Sequence, residues 1–188
     1  MNTADLLRNR VAAIAGAARD LRADTASLDW TRPLLPGTSP LGLTFWHLPR
    51  TLDWVVNTCI LDRPEVADGP AYGNLPDADR FGFGTALSPE AVAAVAGGVD
   101  RAELETYADA VHTQVDEFLA SLSDADFDRV VSEFADRQGR RPAYSTPGAL
   151  EQVKHLQALP LGVLFARPGM AHLTTHLGEI DLIKQLAA

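Results

Sequence analysis

The chain has 188 residues, of which 46 % are hydrophobic and 22 % charged. That excludes a wholly disordered protein and suits one ordinary domain over residues 1–188, with roughly 70 % of the unfolded surface available for burial. A net charge of −9 argues against a nucleic-acid or anionic-membrane partner, and a single cysteine, Cys59, excludes a disulfide framework and an all-cysteine zinc site. There is no run of about 18 apolar residues, and the N-terminus lacks a signal-peptide core, so a cytoplasmic location is expected.

The first predicted helix spans 4–23, where Leu7, Val11, Ile14, Ala18 and Leu21 recur at spacings of three and four. A connector with Pro33, Pro36 and Gly37 follows. Ser39-Pro40 reads as an N-cap and first-turn proline, opening a second helix to about Leu61. Pro49 inside it either kinks the helix or marks the start of its regular part. Residues 62–87 form a long loop rich in Pro and Gly, with Tyr72, Phe81 and Phe83 available to pack it. Ser88-Pro89-Glu90 starts a short helix that ends at Gly97-Gly98. Asp100 and Glu103 predict a capping box for a third long helix, whose stripe runs from Leu104 to Leu122. A polar excursion over 123–144 precedes a helical stretch from Thr146-Pro147 to about Leu159 and a last helix from about Pro168 to Ala187. No strand alternation or repeat is present, so the expected fold is an all-α bundle, most simply of four main helices, with a long loop after the second helix.

The chemistry concentrates on histidine. His172 and His176 lie four residues apart, about 400° along a helix, so their imidazoles stack on one line and can chelate one ion. Glu179, seven residues after His172, returns to that line. A zinc-protease reading fails because Leu173 stands where that motif needs glutamate. His47 lies in an almost wholly apolar stretch. It is either a core histidine bonded to a hydroxyl or carbonyl, or a third ligand between helices. His112 and His155 read as flanking, partly solvated residues; Arg50 and Asp53 as surface or interhelical polar residues; Cys59, Trp46 and Trp54 as core.

The segment FWHLPRTLDW around His47, together with His172, His176, Gly178 and Glu179 in the last helix, resembles the DinB-like superfamily, also called the YfiT-like metal-dependent hydrolase group. The resemblance covers essentially the whole chain, but two short stretches carry it. It implies an antiparallel four-helix bundle of up-down-down-up topology, a divalent metal (Zn, Ni or Fe) on His47, His172 and His176, and a homodimer. It also implies chemistry on a small-molecule substrate with mycothiol or another low-molecular-weight thiol, or with water, of the thiol S-transferase, isomerase or hydrolase type. Glu179 is the candidate to orient a histidine or handle a proton. The alternative on the same fold is a non-catalytic metal-binding or dimeric interaction module. Pro49 and the long 62–87 loop are departures that bear on substrate choice.

Overall fold

The computed structural model describes residues 2–187. It is all-helical; among the described residues the β pairing consists of an isolated bridge between Val130 and Pro160. Helix α1 spans Thr3–Asp24 and buries the expected stripe from Leu7 to Leu21. Its start is fixed by a capping box in which the Asn2 side chain accepts from the Asp5 N–H.

Helix α2, Leu41–Asp53, is the centre of the molecule, with all 13 of its residues buried. Pro40, not Ser39, occupies its N-cap, with no side-chain cap bond. Proline presets the backbone there, and the Gly42 N–H is satisfied by the Trp30 carbonyl at 2.9 Å. Gly42 is required at this spot, because a Cβ would stand 2.7 Å from the Ala96 carbonyl oxygen. Pro49 lies within the helix and does not end it. Beyond Asp53 the ladder widens into a π-helix, Trp54–Leu61, closed by Asp62 in the left-handed region at φ 54°.

The 62–87 segment holds the short helix α3, Ala78–Phe81, and buries Phe81 and Phe83 in the core. Helix α4, Pro89–Gly98, is capped by Ser88, and helix α5, Arg101–Ala120, by Asp100. Glu103 does not return to complete the predicted box; its carboxylate accepts instead from the Asn74 backbone and side-chain N–H groups, at 2.9 and 2.8 Å. The polar excursion contains α6, Phe134–Gly139, and contributes Phe127, Phe134 and Tyr144 to the core. Helix α7, Pro147–Val153, is capped by Thr146. A turn with Ala158 at φ 63° and Pro160 separates it from α8, Leu161–Ala166. From there the chain stays helical to Ala187: a π-turn at Arg167–His172 leads into α9, Leu173–Ala187. Pro160 breaks the helix, whereas Pro168 sits in the wider turn.

Side-chain pairs fix the directions of the long helices. Arg8–Asp116 and Arg19–Asp109 ion pairs, at 2.7 and 2.9 Å, make α1 and α5 antiparallel. Tyr107 bonded to Asp53 and Asn57 bonded to Gln114 make α2 and its π extension parallel to α5. His47 opposite His172 and His176, with Leu52 against Gly169, makes α9 antiparallel to α2.

Candidate metal centre

His47 projects from the middle of the buried helix α2 and is 8 % exposed. A buried imidazole needs a partner, and the His47 Nδ1 finds one in the Phe83 carbonyl oxygen. A carbonyl only accepts, so Nδ1 carries the proton and Nε2 presents its lone pair. The sequence Gly82-Phe83-Gly84 makes this approach possible. Both glycines have positive φ, 60° and 93°, and a Cβ on Gly84 would meet the Trp46 ring at 3.1 Å and His47 Nδ1 at 3.3 Å.

His172 ends the π-turn and His176 lies one turn into α9. His176 Nδ1 is 2.6 Å from Glu179 Oε2, so the carboxylate takes the Nδ1–H and leaves Nε2 as the free lone pair. The three Nε2 atoms then converge. His172 Nε2 stands 2.8 Å from His47 Nε2 and 3.2 Å from His176 Nε2. The three histidines lie close enough to bind one metal ion, their ligand atoms all falling within 4.8 Å of one another.

The donor set fits a divalent cation. Two imidazole nitrogens at about 2.0–2.1 Å from one tetrahedral ion stand about 3.3 Å apart, close to the separations here. Lone pairs aimed at one point repel unless a positive charge sits between them. Neutral imidazole is the ligating form, and the surroundings favour it. Burial, then the neighbouring His176 and His172 charges, lower the His47 pKa to about 3. His172 is exposed on its outer side; the protein packed around the rest of its ring, then the His176 charge, lower its pKa to about 4.

The cluster forms one wall of a cavity of about 380 Å³. Its apolar body comes from Leu43, Trp54, Phe83, Val153 and Leu156, and Gln152, His155 and Arg167 also line it. Thr51 adds a hydroxyl 3.3 Å from His47 Nε2.

Other candidates fall elsewhere. His112 is half-buried on α5. Cys59 is fully buried, and burial pushes its thiol pKa up, away from thiolate chemistry. Trp46 and Trp54 are core residues. Of the surface and interhelical readings of Arg50 and Asp53, the interhelical one holds: at 1 % and 0 % exposure both bond to Tyr107 of α5, in an ionic network with Glu65 and Tyr144. His155, read from sequence as a flanking residue, lines the cavity, and so does Arg167, which the helical periodicity did not single out. No protein-family model matches the chain, and a search of curated proteins finds no match.

Proposed function

We propose that the chain is a metal-dependent enzyme of the DinB-like type, acting on a small molecule with a low-molecular-weight thiol or water as nucleophile. One observation carries this reading: three imidazole Nε2 atoms converge on the wall of a cavity, two of them held in the ligating tautomer by the Phe83 carbonyl and Glu179. A divalent ion held there would supply Lewis acidity, lowering the pKa of a thiol or water in its remaining position. Around it the protein's own groups have defined tasks. Phe83 and Glu179 fix two ring orientations, Trp54 and Leu43 exclude water, and Thr51 offers a hydroxyl beside His47. A cavity wall suits catalysis better than a closed structural site does, because substrate can reach it. The helix directions, with α1 and α9 one way and α2 and α5 the other, support the up-down-down-up arrangement that the sequence resemblance implies.

The test is elemental analysis of protein incubated with Zn, Ni or Fe, followed by turnover assays. Wild-type protein and His112→Ala are expected to hold about one ion per chain, and His172→Ala/His176→Ala almost none. Metal-loaded protein is then given an electrophile panel with mycothiol, bacillithiol, glutathione or no thiol. Thiol-dependent turnover lost in His47→Ala supports transferase or isomerase chemistry, and equal turnover without thiol supports hydrolysis. Full metal content in the double variant sinks the site.

A further inference from the structure

Resting on that reading, we infer that the cavity takes an organic carboxylate, with Arg167 binding the carboxylate while the apolar body lies against the Trp54 side. Electrostatics come first. The chain carries 25 acidic residues and a net charge of −9, yet no aspartate or glutamate lines this cavity among the described residues. A neighbouring cavity of about 620 Å³ is lined by Asp68, Asp77 and Asp79, so acid-free lining is a property of this cavity and not of the whole surface. Local field, not overall charge, selects what enters a cleft.

Backbone geometry supplies the second argument. Arg167 and His172 are five residues apart, which on an α-helix places them about 140° from each other. Between them the chain is a π-turn, whose i→i+5 bonding brings residues five apart nearly into line. The wider turn therefore sets Arg167 on the side of the helix that carries His172, and both line the cavity. An α-helical turn in its place would carry the guanidinium away from the metal face.

The third argument concerns unused donors. The Arg167 side chain is exposed to solvent and has no carboxylate partner among the described residues, whereas the other cavity's more buried Arg50 and Arg141 are both ion-paired. The Gln152 side-chain oxygen accepts from the Thr85 hydroxyl, leaving its amide N–H groups as donors at the same cavity. An arginine fork and an amide donor lining one cavity match a carboxylate, which accepts N–H bonds on both oxygens. Leu43, Trp54 and Phe83 give the remaining wall an apolar character suited to a carbon chain or ring.

Hexanoate and its neutral counterpart hexanamide are the probes. Their binding is measured by calorimetry and by ligand-observed NMR on metal-free and zinc-loaded protein, with metal content recorded for each sample. Hexanoate is expected to bind more tightly than hexanamide in both forms. Arg167→Ala should weaken hexanoate roughly 10-fold or more, leave hexanamide unchanged and leave metal content unchanged, while Arg167→Lys recovers part of the loss. Equal binding of the two probes to wild-type protein, or hexanoate binding indifferent to Arg167→Ala, overturns the subsite while the metal reading stands. Hexanoate that binds only the zinc form, and survives Arg167→Ala, sits on the metal and also overturns it. A protein that takes up no metal but still discriminates hexanoate through Arg167 removes the metal reading and keeps the subsite.

Discussion

His47 and Arg50 lie three residues apart on one fully buried helix, and each is tied to the same loop, through Phe83 and Gly82 respectively. Their surroundings differ in kind. On the Arg50 side every strong group is answered. Asp53 accepts from Arg50, Tyr107, Asn57 and the Val66 and Ala67 N–H groups, and Glu65 accepts from Arg50, Thr58, Arg141 and Tyr144. Charges and donors balance locally, so the network holds structure and has nothing left to offer a ligand. On the His47 side, three acceptors point at one another across the edge of a cavity. Buried ionisable residues on a core helix are thus of two sorts, and the direction of their unused lone pairs separates them.

The most disruptive way to break that contrast is to remove the cation from the closed side. Arg50→Met is expected to lower stability by about 3–5 kcal/mol, because Asp53 and Glu65 would be left buried with less compensation. Urea unfolding of metal-free protein measures it, with far-UV circular dichroism checking that the variant folds. A loss below about 1 kcal/mol would mean that the network does not hold the helix.

A second test uses protons on the open side. In the folded state the His47 pKa is lowered to about 3, by burial first, against an ordinary value near 6.5. Between those values the unfolded chain binds a proton that the folded chain refuses. Stability of the metal-free protein is therefore complete above about pH 6.5 and falls as pH drops toward 3. One proton corresponds to about 1.4 kcal/mol per pH unit, or about 2 kcal/mol between pH 6.5 and 5. Replacing His47 by Gln removes this titration, so the wild-type and variant stability profiles should converge by that amount on acidification. Parallel profiles would show that His47 is not the refusing group.

The two sides were also unequally legible in the sequence. His172 and His176 announce themselves by local spacing, since four residues on a helix need no knowledge of the rest of the fold. His47 stands out because a polar ring in an apolar helix demands a partner. Beyond the Arg50–Asp53 pair, three residues apart on one helix, the Arg50 network does not show, because Glu65, Tyr107 and Tyr144 are brought to it only by packing. Arg167 is hidden for a different reason. Periodicity at 100° per residue points it away from His172, and the π-turn that corrects this leaves no plain mark besides Pro168. The helical class was likewise readable from stripes and caps. The Asp100 cap holds, while the Ser39 cap and the Glu103 half of the Asp100 box give way to backbone or distant partners, Trp30 and Asn74.

The finest test of the open side leaves all three imidazoles in place and alters only what stands behind one of them. Glu179 Oε2 accepts the His176 Nδ1–H at 2.6 Å, near the exposed surface of α9. This bond does two things: it selects the tautomer with Nε2 free, and its negative charge makes the imidazole a better donor to a cation. Glu179→Gln keeps size and a hydrogen-bonding side chain but removes the charge. Its amide oxygen still accepts from Nδ1–H, so the ring keeps its orientation and loses only the electrostatic reinforcement. Zinc affinity, measured by competition with a chromophoric chelator, is expected to fall about 10-fold, the lower end of what loss of such a partner costs. Glu179→Ala removes the orientation as well and should fall further, toward 100-fold. Because the carboxylate is exposed, the unfolding free energy of the metal-free protein should move by less than about 0.5 kcal/mol in either variant. Affinity that drops while metal-free stability stays level identifies Glu179 as a group acting through His176. Equal affinities in wild type, Gln and Ala would reduce the contact to a surface pair.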